Sequence, residues 1–450
     1  LDVPVPPPEG DEQQDWLKIT VYNGILQKKE GRIFTKKVSD DEESTMASTD
    51  TSFKPRFGKM ATINASTLPT DEMRDHAAMN PGPIAAAERL IRNAFMEKLR
   101  KVKGVHLENS VDTTTPSLDF SFIDSFVLGD GVHAVDPEIN PGCQAPCRPD
   151  MGGQCGCEYT KECGCLEYAA VDEEKLARTD PTGYARYCLE KDAGGLIDTE
   201  GLPKRFPYSK PRGGSIQTLG SFYLKQRHPI YECHDKCNCG PICKTRLVSK
   251  GRHVDLTIFK TENRGWGVRC NEDLIKGEFI DVYLGEVLTN EETTERESKA
   301  GADKASYLYN LDKFVGDDPA LTLQTCYVVD GQYMGNATRF INHSCEPNCR
   351  QYTVSHNKYD LWVYNLAFFA CENIPKGEEL TFDYKDKDEE EEEDVVARRE
   401  AAFADPRKKH LRRCNCGARK CRGYLWDDGE EDDQDSDESD QASGESDQEG

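Results

Sequence analysis

Four cysteines within eleven residues, Cys233-x3-Cys237-x-Cys239-x3-Cys243, constrain this chain more than any other feature. Six more lie upstream: Cys143, Cys147, Cys155, Cys157, Cys163 and Cys165. Zinc takes four tetrahedral ligands, and thiolates one and three residues apart can converge on it. In a long chain without a secretory leader, such clusters read as metal ligands rather than disulfides. The packing is too dense for separate four-cysteine sites. Three zincs need twelve ligand bonds, which six terminal and three bridging thiolates supply from nine cysteines. Ten are present, so one is surplus. A cluster of this kind stabilises a segment too polar to form its own core. Near the end of the chain, Cys414-x-Cys416-x4-Cys421 offers three ligands, one short of a closed site.

Composition narrows the reading. Only 36% of residues are hydrophobic, and the formal net charge is -25. Residues 427–450 hold thirteen acids and no Lys or Arg, a composition that stays solvated. An acidic chain lacks the basic face that gripping DNA phosphates requires, so direct sequence-specific nucleic-acid binding is not expected. It attracts basic partners such as a Lys/Arg-rich peptide. No apolar run approaches the roughly 18 residues of a membrane span, and no signal-peptide core precedes the first domain. The expectation is a soluble intracellular protein without membrane contact.

Residues 1–83 have the Pro- and Ser/Thr/acid-rich texture of a linker, with a short hairpin around 17–36. Residues 84–103 are Ala-rich with helical periodicity, between Pro83 and Gly104. Residues 118–135 read as extended. From Val254 onward the strings LTIFK, GWGVRC, FIDVYLGEV, CYVVDG, LWVYNLAFFA and ELTFDY predict short strands between Gly-containing turns, hence a compact, mostly β domain with short helices.

The cysteine block ending in Ile-Tyr-Glu-Cys (230–233), with the segment PSLDFSFIDSFVLGDGV upstream, resembles the pre-SET domain of suppressor-of-variegation type histone H3 lysine-9 methyltransferases, especially fungal members. The string Arg339-Phe340-Ile341-Asn342-His343-Ser344-Cys345 resembles the SET domain's central motif, and Thr381-Phe382-Asp383-Tyr384 completes it. Asn263-Arg264-Gly265-Trp266-Gly267-Val268 is similar to its first cofactor-binding turn. There are two departures. The first half has six cysteines where the family uses five, leaving Cys155 or Cys157 as a bystander. Lys-Thr-Arg also follows Cys243 in place of Pro-Asn-Arg, with Arg246 retained.

The resemblance implies a SET β-fold with a knot-like C-terminal crossing, a pre-SET zinc domain over 116–250, a SET domain over 251–385 and a post-SET segment over 413–426. Residues 84–115 form a helix and linker, 386–412 a charged insertion, and 427–450 an acidic tail. It also implies transfer of methyl groups from S-adenosylmethionine to lysine 9 of the histone H3 tail, in nuclear heterochromatin. Arg264, Gly265, Trp266, Tyr307, Arg339, Asn342, His343 and Tyr384 would bind the cofactor. Tyr283, Tyr384, Phe382 and Trp426 would build the lysine channel. Cys345 would be the fourth ligand beside Cys414, Cys416 and Cys421, giving one post-SET zinc in addition to three pre-SET zincs. Phe382, where the family alternative is Tyr, implies di- and trimethylated products. Arg407-Lys408 in the insertion could mimic a histone Arg-Lys pair and occupy the peptide groove. No chromodomain pattern is found in 1–83, so other proteins are expected to recruit the enzyme to chromatin. The rival readings are a catalytically silent zinc-stapled adaptor and a different target lysine.

Overall fold

The computed structural model describes the backbone of residues 25–29 and 32–36, and then residues 91–136, 139, 142–144, 147–148, 150, 164–193, 197–211, 213–300, 307–385 and 413–425. Cys155, Cys157, Cys163, Trp426, the insertion at 386–412 and the acidic tail lie outside the described residues. The chain divides into two units: Leu1–Ile341 with Asn348–Leu380, and Asn342–Pro347 with Thr381–Gly450.

The first unit is organised by the apolar run NLAFFA. In Asn365–Ala370 every residue from Leu366 onward is buried, as expected of a strand covered on both faces. It lies between Phe279–Tyr283 and Cys349–Ser355, antiparallel to both, and Ile230–Tyr231 adds a parallel strand beyond. A second sheet orders Leu308–Asn310, Val328–Asp330, Glu286–Leu288 and Val127–Leu128. In a third group Leu256–Lys260 pairs with Val105–Glu108 in parallel and with Trp266–Cys270 antiparallel. Trp266–Cys270 in turn pairs with the first half of Glu379–Phe382. The expected strands are therefore present, although LWVYNLAFFA is a strand only from Asn365, and residues 118–135 are extended only in part, contributing Ser121–Phe122 and Val127–Leu128 between turns. The early hairpin is also present, as Ile25–Lys29 against Arg32–Lys36.

Helices are short. Residues 91–99 form a helix with Ile91, Phe95 and Leu99 buried along one face. It stops short of the predicted residue 103, and turns at 100–104 lead into Val105–Glu108. Asp172 and Asp180 cap Glu173–Thr179 and Pro181–Asp192, accepting from the amides of Lys175 and Gly183. One core joins the cysteine-rich region to the SET strands: Tyr208, Leu219, Tyr223, Ile230 and Val248 pack with Phe279, Tyr352, Val354 and Phe369.

In the second unit Asn342–His343 runs parallel to the end of Glu379–Phe382, with Asn342 opposite Thr381 and His343 opposite Phe382. These are the two segments that the resemblance expects to take part in the knot-like crossing.

Candidate active site and metal centres

Seven of the predicted metal-binding cysteines fall among the described residues of the first unit, and they converge. Cys143, Cys147, Cys233, Cys237, Cys239 and Cys243 form a buried cluster with Cys165 against it. The sulfurs of Cys143, Cys165, Cys233 and Cys239 all lie within 4.8 Å of one another. Cys147 Sγ is 3.7 Å from Cys165 Sγ. A disulfide needs about 2.05 Å. Tetrahedral zinc–thiolate bonds of about 2.3 Å place sulfurs about 3.8 Å apart. The residues therefore fit zinc. Cys165 belongs to the quartet and also touches Cys147. Hydrogen bonds from Cys165, Cys233 and Cys237 pull the Cys143 thiol down to about 3, so the cluster already favours a thiolate there. Gly142, at φ +71°, is needed for this approach, because a Cβ would sit 2.5 Å from Cys237 Sγ. Thr245 Oγ1 donates to Cys233 Sγ at 2.9 Å, and an Arg246 Nη donates to the Cys239 carbonyl at 3.2 Å.

The same unit holds Tyr283, Tyr307 and Arg339. The buried Tyr283 donates its hydroxyl to the Tyr307 carbonyl at 2.8 Å, and the Gly331 amide donates to that carbonyl at 3.0 Å. A Cβ at Gly331 would lie 2.4 Å from the Tyr283 oxygen, so the absent side chain makes room for the phenol. Arg339 stacks its guanidinium 4.0 Å from the Tyr307 ring centre, with Phe340 at 4.8 Å and Phe120 at 4.9 Å. Its Nε donates to the Gly331 carbonyl at 2.9 Å. The Arg264 guanidinium is paired with Glu379. Gly265, at φ +72°, has open space where a Cβ would be, so its turn can receive a ligand against the backbone. Trp266 lies under the Lys260 ammonium, 5.3 Å away.

The second unit brings Asn342, His343, Phe382, Tyr384 and the remaining cysteines together. The sulfurs of Cys345, Cys414, Cys416 and Cys421 lie within 4.8 Å of one another, and Cys345 is 4.0 Å from Cys414. The Cys345 sulfur, expected as the fourth ligand, thus lies beside the other three. Four adjacent thiols cannot all ionise unaided. The Cys414 thiol draws Cys345 down, but Cys416 and burial push harder and raise it to about 12. Cys345 and Cys414 meanwhile hold Cys416 well below the usual thiol range. A divalent cation removes that conflict. The cysteine segment is closed by Cys414 N–H donating to the Gly423 carbonyl at 2.8 Å. The His343 ring packs edge-on to Tyr384 at 5.3 Å, and Phe382 lies 4.8 Å from Tyr384. Asp383 receives both guanidinium nitrogens of Arg422, at 2.8 and 2.5 Å.

Sequence reasoning missed Arg422 and Gly331, and it quoted Asp383 and Glu232 only as members of their motifs. Glu232 is fully buried. It accepts the amides of Leu247, Val248 and Ser249 at 3.1, 2.8 and 2.9 Å, and its Oε2 lies 3.0 Å from His356 Nε2. Periodicity gives no signal for such partners, because they lie far apart in sequence.

Comparison with known proteins agrees with this geometry. Residues 265–385 match the SET domain and residues 97–246 the Pre-SET motif. The chain is 38% identical over 328 residues to the H3 lysine-9 specific histone-lysine N-methyltransferase dim-5 of Neurospora crassa, covering 72% of this chain and 88% of that protein. It is 36% identical over 339 residues to the H3 lysine-9 specific enzyme KMT1 of Fusarium mangiferae, with the same coverages. The solved structure of the Neurospora SET protein DIM-5 superposes with a TM-score of 0.51 at 35% identity, covering 63% of this chain and 96% of that one. The chain belongs to the pre-SET/SET family of H3 lysine-9 specific histone-lysine N-methyltransferases.

Proposed function

We propose that this enzyme transfers methyl groups from S-adenosylmethionine to lysine 9 of the histone H3 tail, carrying the product to the di- and trimethyl states. The observation that carries the reading is the second unit's arrangement. Asn342 and His343 are paired with the strand leading to Tyr384, beside a closed four-thiol site. Bound S-adenosylmethionine supplies a sulfonium methyl that needs no further activation. The chain's task is therefore alignment and deprotonation of the lysine. Aromatic surroundings disfavour the charged ammonium and lower the lysine pKa. We assign this lining to Tyr283, Phe382, Tyr384 and Trp426. Tyr283 commits its proton to the Tyr307 carbonyl and so offers oxygen lone pairs to an amine. Arg264, Gly265, Trp266, Tyr307, Arg339, Asn342 and His343 are assigned to the cofactor. Phe382 adds no hydroxyl that would compete for a methylated amine.

Three zincs in the pre-SET cluster and one in the post-SET site are structural in this scheme and take no part in methyl transfer. Partner proteins recruit the enzyme to nuclear chromatin, where it acts in heterochromatin formation and silencing. The test is a methyl-transfer assay on H3 tail peptides with lysine 9 free or replaced by arginine, read by mass spectrometry. Stepwise mass gain only with lysine 9 supports the proposal. Equal gain with the replaced peptide moves the target, and no transfer by zinc-loaded protein favours the adaptor reading. Deleting 386–412 raises activity if Arg407-Lys408 occupies the peptide groove. Unchanged activity with both metal sites intact refutes that arm.

A further inference from the structure

The His343 ring is buried, with its side chain 2% exposed. Its Nδ1 accepts the Tyr384 amide at 3.2 Å, so in the neutral ring the proton sits on Nε2. Nε2 lies 3.2 Å from Cys345 Sγ and therefore donates to it. A second connection runs to the same place. The Arg422 amide points at Cys345 Sγ at 3.4 Å, and the Arg422 guanidinium grips Asp383, the residue before Tyr384. Cys345 is thus tied to the Asp383–Tyr384 dipeptide by two links, one through a ring whose Nδ1 also lies 3.6 Å from Asp383 Oδ1 and one through a backbone-to-side-chain bridge.

A metal-bound cysteine is a thiolate and a good acceptor, whereas a protonated thiol is a weak donor and a weak acceptor. Hydrogen bonds to such a sulfur belong to the outer shell that orients a metal ligand. We infer that His343 and Arg422 are positioning residues that couple metal occupancy at Cys345 to the placement of the Tyr384 backbone. On this view the post-SET metal sets the orientation of Tyr384 through hydrogen bonds, in addition to closing the C-terminal segment. The catalytic part of the inference rests on the proposed role of Tyr384. The link from His343 to the metal does not.

The test uses the full chain loaded with zinc. Zinc release to a chromogenic chelator is followed for the parent, His343→Phe, His343→Gln and Arg422→Lys, with Cys421→Ser identifying the post-SET fraction. Circular dichroism confirms folding. Loss of an outer-shell partner should speed release, or weaken affinity, by roughly 10–100-fold in His343→Phe. Release of the pre-SET fraction should be unaffected. His343→Gln, which keeps a donor, should recover part of the loss, and Arg422→Lys should show an intermediate effect. Nitrogen-15 NMR of the zinc-loaded parent should show His343 protonated at Nε2. Unchanged release in His343→Phe, or a proton on Nδ1, overturns the relay. In the methyl-transfer assay the coupling is read on Arg422→Lys, which has no assigned cofactor contact: kcat should fall more than peptide KM rises, and looser zinc with unchanged kcat in that variant overturns the coupling to Tyr384. Absence of transfer by the parent would refute the proposed function, and the zinc-release and NMR results would still decide the relay.

Discussion

Removing the Glu232 carboxylate should destabilise the enzyme far more than an ordinary Glu→Ala change. Its two oxygens take three backbone amides and the His356 ring, with no exposure of the side chain. In Glu232→Ala the amides of Leu247 and Val248 lose their acceptor while remaining buried. Ser249 is exposed and His356 partly so, and both can turn to water. Two stranded donors at about 1–3 kcal/mol each give a loss of roughly 2–6 kcal/mol. At about 2–4 °C per kcal/mol for a domain of this size, the melting midpoint should fall by roughly 4–24 °C. Glu232→Gln keeps one acceptor oxygen but turns an NH2 group toward Ser249 or His356. Its loss should lie between the parent and Ala. Burial alone would raise the Glu232 pKa, but His356, Tyr208 and the Ser249 amide together outweigh it and the net shift is downward. The stabilisation is therefore present at neutral pH and is lost as pH falls through the lowered pKa. The assay is thermal unfolding of zinc-loaded protein at pH 7, with metal content checked before and after. A midpoint for Glu232→Ala within about 1 °C of the parent would refute the reasoning.

Phe382→Tyr should shift product from di- and trimethyl toward monomethyl lysine, and an unchanged distribution by mass spectrometry sinks the assignment of Phe382 to the channel. Burial pushes the Asp281 carboxyl up to about 6, against the pull of the Val282 amide and Arg252. Because the folded state holds this proton more tightly, Asp281 contributes stability below about pH 4 that declines as pH rises to about 6. Relative to Asp281→Asn, the parent should lose up to ~3 kcal/mol across that interval, measured by denaturant unfolding at each pH. Equal slopes would show that Asp281 titrates normally. Prolonged chelation should remove zinc from both cysteine clusters and lower the melting midpoint along with activity. A chelated sample that melts like the parent would contradict the structural role of the metals.

The legibility of this chain follows from the range of each interaction. Strands such as NLAFFA and LTIFK were readable because burial on both faces writes a continuous apolar run. The cysteines were readable because thiolate spacing has almost no other use in such a chain. The helix Asn290–Ala300 went unread although it carries a local signal: Thr289 Oγ1 accepts the Glu292 amide at 3.3 Å, a Thr-x-x-Glu start. Its surface is so charged that no apolar stripe marks it. Cys349–Ser355 was missed because Arg350 and Gln351 interrupt its apolar residues, although Gln351 is itself buried. Contacts such as Tyr283 with the Tyr307 carbonyl join distant positions through a backbone atom, and no side-chain pattern records that.

The two tyrosines assigned to the amine share a local device, one in each unit. Tyr283 follows Asp281 by two residues on a strand with a register shift, and Asp281 lies 3.1 Å from Arg252 Nε. Arg252 also donates to the Gly104 carbonyl, pinning the segment before Val105–Glu108. Tyr384 follows Asp383, which is held by Arg422 beside the metal quartet. Apolar packing fixes which side of a strand faces the core but tolerates small slides along it. The two-oxygen, two-nitrogen pair of Asp383 with Arg422 does not, because its hydrogen bonds are directional, and Asp281 is held by one Arg252 nitrogen and the Val282 amide. Such pairs add little net stability over well-packed apolar residues, yet breaking one partner leaves a buried charge at a cost of about 3–5 kcal/mol. Their placement next to these tyrosines is therefore better explained by precision of position than by stability. That is what in-line transfer to an amine demands of groups that must hold it within a fraction of an ångström.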